Sequence, residues 1–324
     1  MDYRTLTWRA LTTDDVPALT RAFAAVESAD HTDEHYSEQD VRDELEDESF
    51  DLGRDSFAAL TADGEIVAFV WIRGAAEVRD LDQLEATGAV VPAARRRGLG
   101  RRLLDWAEQR AASLHAERHP SVAAAICVDV HENNPGKRAL VETAGYEATR
   151  WWYRMTHGLA DPLPTVPPPP PGLVVTPYTR DRDEAVRQAH REAFAGHWGS
   201  TPPDEQRWRQ RFTGASHFQP GVSWLVLDGD EVVAYLLTSL WEADASATGV
   251  REAFVAQLGV RPPWRRRGLG TLLLATALES YVPAGYDRSA LTVDTDNATG
   301  ALHLYERAGF ALNDTAVSWT KRLA

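Results

Sequence analysis

The 324-residue sequence predicts a mixed α/β protein built twice: two domains of similar size joined by a proline-rich linker. Three observations carry this expectation. A basic, glycine-bearing stretch, Arg95-Arg96-Arg97-Gly98-Leu99-Gly100, returns as Arg265-Arg266-Arg267-Gly268-Leu269-Gly270. The elements around the two copies follow one order at an offset of about 165–170 residues, too long for a solenoid unit. Between them, residues 159–172 hold seven prolines, Pro167 to Pro171 in one run, which makes an extended spacer. The expected boundaries are 1–157, 158–172 and 173–324.

In the first half, residues 5–10 alternate as a half-buried strand does, and Thr12-Thr13-Asp14-Asp15 caps a helix over 16–29. An acidic helix follows over 40–46, read as a solvated face. Residues 57–60 and 66–71 flank Asp63-Gly64 as a hairpin. A strand over 83–91 leads into the first arginine stretch, and a helix over 99–118 leaves it. Residues 124–129 are a short buried strand. Pro135 opens a helix stopped by Gly145, and 146–155 supply the closing strand.

After the linker the series restarts. A strand over 173–179 precedes helices over 182–195 and 203–212. Residues 224–227 and 232–237 repeat the hairpin around Asp228-Gly229. The strand 254–260 enters the second arginine stretch, and the helix 269–282 leaves it. A strand over 291–294, a helix over 299–308 stopped by Gly309, and a final strand over 317–322 complete the repeat.

Bulk properties exclude several classes. Net charge is −14 and no segment carries a basic stripe, which argues against a nucleic-acid partner. The arginine triplets are local exceptions in an acidic chain and suit a small phosphorylated ligand. Cys127 is the only cysteine, so neither a disulfide framework nor a CxxC metal site is expected. No apolar run reaches membrane-spanning length and the start lacks a signal-peptide pattern, so no membrane role, a cytoplasmic location, and a monomer or homodimer are expected.

The arginine stretches carry the chemistry. Each sits between an apolar strand and a helix, where the first backbone N–H groups have no intrahelical partner and meet the positive end of the helix dipole. Glycines let the chain turn and approach a bulky anion, and arginines add charge and forked donors. A P-loop does not fit, because no Lys-Ser/Thr follows, and GxGxxG is absent.

Each half resembles the GNAT superfamily of acetyl-CoA-dependent N-acyltransferases. The resemblance rests on an [Arg/Gln]-x-x-Gly-x-[Gly/Ala] loop between strand and helix, here Arg265 to Gly270. It rests also on the downstream run from Asn297 through Tyr305 to Gly309-Phe310. It covers nearly the whole chain apart from the linker, and its tandem form is similar to the group that includes mycothiol synthase. It implies two tandem domains, each a mixed, mostly antiparallel sheet flanked by helices.

It also implies acetyl transfer to a primary amine of a small molecule by direct attack in a ternary complex. The loop residues Arg265, Arg266, Arg267, Gly268, Leu269 and Gly270 would hold the diphosphate of acetyl-CoA. The strand end Leu258-Gly259-Val260 would pair with the pantetheine arm, and Asn297 would support that pocket. Tyr305 occupies the position of the family's general acid, although an aromatic packed on the sheet would need no chemistry there. Glu252 is the candidate base, with Glu242, His190 and His197 as alternatives, two residues before the family's usual position at Phe254. His197 and Trp198, on the connection after the first helix of this half, are candidates for binding the acceptor.

In the first half the tyrosine position is Val141, which has no proton to give. That half is expected to be catalytically silent, with Arg95, Arg96, Arg97, Gly98 and Gly100 either binding a second coenzyme or only shaping a helix start. An antibiotic- or protein-modifying transferase, mycothiol synthase itself, and a non-catalytic acyl-CoA sensor are the other readings. Tyr305 argues against the sensor.

Overall fold

A computed structural model describes residues 5–47, 50–78, 80–195, 203–296 and 300–323. The chain divides into two compact units, residues 1–151 with 316–324, and residues 152–315. These divisions differ from the expected boundaries for a specific reason. Both closing strands are long, Glu147–Gly158 (β6) and Ala311–Arg322 (β12), and each contributes residues to both units.

The first unit contains Thr7–Arg9 (β1), Val16–Asp30 (α1), Glu38–Leu45 (α2), Leu52–Asp55 (α3), Ser56–Leu60 (β2) and Ile66–Arg73 (β3). Leu81–Val90 (β4), Leu99–Arg118 (α4), Ala123–His131 (β5) and Pro135–Thr143 (α5) follow. Its strands run in the order β1, β2, β3, β4, β5, β12, antiparallel except for β4 beside β5. All of β3 is buried, as an apolar run covered on both faces must be. The last strand belongs here through Ala316↔His131 to Arg322↔Ala125, with Val317 and Trp319 in the core. The Ser318 hydroxyl donates to Asp129 at 2.6 Å, and the Lys321 ammonium donates to Glu108 at 2.8 Å.

The second unit contains Leu173–Pro177 (β7), Asp183–Ala193 (α6), Glu205–Trp208 (α7), Trp224–Asp228 (β8), Glu231–Ser239 (β9) and Glu242–Thr248 (α8). Glu252–Val260 (β10), Leu269–Tyr281 (α9), Arg288–Asp294 (β11) and Ala301–Arg307 (α10) complete it. Its strand order is β6, β11, β10, β9, β8, β7, with β10 and β11 the parallel pair. Residues of β8 and β9 alternate between two cores, as period two requires. Val226 and Val233 pack with the leucines of α9, while Leu225, Val232 and Tyr235 pack with Val186 of α6 and Trp208 of α7. The proline segment joins this unit: Leu159 is buried in the α9 core, and Leu163 and Val166 pack against it.

The hairpins, loop-flanking strands and helices lie where the sequence puts them. The structure adds α3 and α8, carries β6 on to Gly158 and starts β12 at Ala311. Each unit is a mixed, mostly antiparallel sheet flanked by helices. No described helix is long and apolar enough to cross a membrane.

Deleting residues 316–324 removes the part of β12 that belongs to the first unit and pairs with β5. The loss of buried Trp319 and Val317 should cost about 3 kcal/mol or more, read as a lowered first transition in thermal unfolding. An unchanged melting profile would contradict the assignment of this strand.

Candidate active site

The site begins with a parallel pair that separates. β10 meets β11 only at Glu252↔Arg288, Ala253↔Ser289 and Phe254↔Ala290. Beyond Phe254, β10 pairs with β9 alone, so its other edge from Val255 to Val260 has no ladder partner among the described residues. A register shift between Val255 and Gln257 puts a bulge at the point of separation. In the first unit β4 and β5 also part, after Glu85↔Cys127, but β4 stays in unbroken register with β3. The sequence carries no signal for this bulge; pairing partners, not composition, place it.

The open edge of β10 runs into the arginine loop. Arg266 has φ 60° and Gly268 φ 80°, and the first-unit loop repeats this with Arg96 at 62° and Gly98 at 81°. Gly268 is the N-cap of α9 and offers no side-chain bond. The first intrahelical bond there is Leu272 N–H to the Gly268 carbonyl, 2.9 Å, which leaves the preceding N–H groups aimed out of the helix start. Gly270 serves packing: a Cβ there would stand 3.2 Å from Leu304 of α10, as one at Gly100 would stand 3.1 Å from Leu140 of α5.

The three arginines of each loop divide their work. Arg265 turns back, donating from Nε to the Val260 carbonyl at 3.2 Å and from Nη2 to the Ala193 carbonyl at 2.6 Å. Arg95 does the same with the Val90 carbonyl at 3.0 Å and, through both Nη atoms, with Asp30 at 2.7 Å. Their side chains therefore fasten each loop to the end of the first α-helix of its unit, α6 and α1. Arg266 and Arg267 are exposed, as are Arg96 and Arg97; Arg267 lies 4.7 Å over the Trp264 ring.

Gly259 and Leu258 lie on the open edge. A Cβ at Gly259 would come within 2.4 Å of the Tyr235 ring, so glycine is required there by close approach. The Tyr235 hydroxyl in turn meets His190 Nδ1 at 2.6 Å. That ring is stacked on Phe194 and lies beside Trp208 and Phe212, which makes His190 a core histidine.

Tyr305 follows Leu304 on α10 and is 8% exposed. Its hydroxyl has no hydrogen bond to another described residue, and burial pushes the phenol up to about 12. Val141 holds the equivalent place on α5 and is buried. Beside Leu304, a shallow apolar depression is lined by Thr271 and Leu274 of α9, Arg307 and Ala308 of α10, and Pro164.

Glu252 stands at the closed end of the strand pair. Arg154 Nη2 donates to its Oε1 at 2.7 Å and Arg288 Nε donates to its Oε2. Both oxygens are thus engaged by guanidinium groups, an arrangement the sequence hid because Arg154 comes from β6. Glu242 is exposed, 3.8 Å from Arg251. Asn297, His197 and Trp198 lie outside the described residues.

The family model described as "Acetyltransferase (GNAT) family" matches residues 18–146 and 184–310. A mycothiol acetyltransferase from Geodermatophilus obscurus is 32% identical over 275 residues, covering 83% of this chain and 82% of that protein. The crystal structure of a GCN5-related N-acetyltransferase from Sphaerobacter thermophilus superposes with TM-score 0.75 at 26% identity, covering 98% of this chain and 96% of that one. A tandem GNAT protein from the clavulanic acid biosynthesis pathway shares the fold at TM-score 0.72 and 17% identity, with 99% of each chain covered.

Replacing Glu252 with Gln leaves two partly buried guanidinium groups facing a neutral amide. The expected loss is about 1–3 kcal/mol, below that of a fully buried pair because Arg288 is part-exposed. It is checked by the denaturation midpoint. Unchanged stability would show that the cluster contributes nothing to the fold.

Proposed function

Because the chain belongs to the acetyltransferase (GNAT) family and is an N-acetyltransferase, we propose a transfer of the acetyl group from acetyl-CoA to the primary amine of a small molecule. The chemistry belongs to the C-terminal half and proceeds by direct attack with both substrates bound. One observation carries this reading. A strand with an open edge ends in a loop of outward N–H groups, and the neighbouring helix bears a phenol that stays protonated.

The fit to the coenzyme is chemical. Amides at Gly268, Leu269 and Gly270, at the positive end of α9, suit a diphosphate, and the exposed Arg266 and Arg267 add charge. Arg265 contributes by fixing the loop. The unpaired edge at Leu258, Gly259 and Val260 offers N–H and C=O groups to the amide-bearing arm of acetyl-CoA, and a backbone N–H there would polarise the thioester carbonyl. Asn297 is assigned to the same pocket by family position, and His197 with Trp198 to the acceptor side.

As the amine nitrogen bonds to the acetyl carbon, the carbon–sulfur bond breaks and Tyr305 gives its proton to the departing thiolate. The attacking nitrogen loses a proton to water, and the phenolate is reprotonated from solvent. Glu252 is not assigned as base, since taking a proton there would require displacing a guanidinium donor. Val141 leaves the first half without an acid, so its loop binds at most a second coenzyme without turnover. The relatives named mycothiol acetyltransferase favour a small-molecule acceptor, and the acceptor they are named for is the first to assay.

Free-thiol release from acetyl-CoA with an amine panel tests the reading. Tyr305→Phe should lower kcat about a hundredfold while calorimetry still registers coenzyme binding, and Val141→Ala should leave kcat near wild type. Equal losses in both would overturn the assignment, and coenzyme binding without turnover on any amine would favour a sensor.

The raised phenol fixes a pH signature. A neutral acid is present below its pKa and lost above it, so with Tyr305 near 12 kcat should hold level from about pH 8 to about pH 10. An alkaline loss in that window that vanishes in Tyr305→Phe would refute the raised pKa while keeping the phenol as the acid; one that persists in Tyr305→Phe belongs to another group.

A further inference from the structure

α10 has seven residues, too few to hold its place by helix propensity alone. Its C-terminal end is closed by a two-bond turn. The Phe310 N–H donates to the Tyr305 carbonyl at 3.1 Å and the Gly309 N–H to the Glu306 carbonyl at 3.0 Å, with Gly309 at φ 93°. The carbonyl of Gly309 points away from this turn and meets His157.

His157 lies on β6, opposite Ser289 of β11, and is 5% exposed. Its Nδ1 is 3.0 Å from the Gly309 carbonyl oxygen. A carbonyl only accepts, so Nδ1 carries the proton of this bond and Nε2 is the ring's remaining polar atom. That Nε2 is buried with no partner, an unfavourable group that a purely structural position would be better without. The ring also touches both sides of the turn: a Cβ at Gly309 would lie 2.9 Å from it, and the Phe310 ring is 5.7 Å away. Phe310 is in turn 6.1 Å, edge-on, from the Tyr305 ring. In the first unit the corresponding Gly145 has nothing within 4 Å of where a side chain would start, and Lys321 instead lies 5.6 Å over the Tyr146 ring. The imidazole contact is found where the phenol is.

We propose that His157 is a positioning residue for Tyr305: its Nδ1–H bond to Gly309, with its ring against Phe310, fixes the end of α10 and so the place of the phenol. This rests on Tyr305 being the acid. It also means that a residue from the segment preceding the proline run completes the chemistry of the C-terminal half.

The test is a double-mutant cycle in the full-length chain, assayed by thiol release. His157→Gln moves the amide toward the Nε2 place and loses the bond, whereas His157→Asn keeps a donor near Nδ1; both are polar and of similar bulk. His157→Gln should lower kcat about tenfold with KM for acetyl-CoA within about twofold, and His157→Asn should recover most of it. In a Tyr305→Phe background His157→Gln should have no further effect. Multiplicative losses in the double variant, or equal kcat in the Asn and Gln variants, overturn the proposal while leaving Tyr305 as the acid. Full kcat in Tyr305→Phe alone overturns both.

Discussion

The arrangement depends on how few residues β10 and β11 share. Three ladder positions hold them together, and past Phe254 the two strands part. If the ladder continued, the backbone groups of residues 255–260 would be satisfied internally and the strand would have nothing to offer a ligand. The separation leaves one edge of a central strand unpaired where a parallel neighbour would otherwise satisfy it. Loop and helix then follow at the end of that edge, so amide donors and strand edge form one continuous surface.

The two halves show what this architecture fixes and what it leaves free. The φ angles at Arg96 and Arg266, and at Gly98 and Gly268, agree within about two degrees. The glycine-to-leucine contacts at Gly100 and Gly270 agree to a tenth of an ångström. The loop is therefore a structural unit that survives whatever its neighbours do. Differences appear where chemistry would be needed. The bulge is present in β10 and absent from β4, and the helix position beside the loop is a tyrosine in one half and a buried valine in the other. A valine there fills the same core space without a hydroxyl, so the first half keeps its fold.

Legibility followed the range of the interaction. The hairpins, the loops and the stop at Gly309 depend on neighbours within a few residues, and the sequence announces them. The repeat was visible because both loops carry the same unusual run of residues. What escaped was pairing at long range. Residues 146–155 and 317–322 read as closing strands, but nothing in their alternation names a partner or says that the full strands, 147–158 and 311–322, each serve two units. The engagement of Glu252 was hidden for the same reason: Arg154 lies nearly a hundred residues away, and only the β6–β11 ladder brings it close. A carboxylate at the start of a strand looks available until its cross-strand neighbours are known.

The arginine triplets carry the same lesson to the level of single side chains. By charge alone, all three arginines of Arg265–Arg267 are equivalent ligands for an anion. The geometry separates them. The first folds back onto the carbonyls of Val260 and Ala193, which lie at the end of β10 and of α6, and its forked donors suit such a two-point tie. It thereby sets the left-handed turn at Arg266, a conformation a non-glycine residue rarely holds without support. With that turn held, the next two side chains are exposed, Arg267 lying over the Trp264 ring, and α9 starts at once behind them. A lysine at the first position would keep the charge, but its donors share one nitrogen and lack the fork that spans Val260 and Ala193. The motif's leading arginine is therefore a structural tie of the loop, and in the proposed reading the charge offered to a diphosphate comes from the two residues after it.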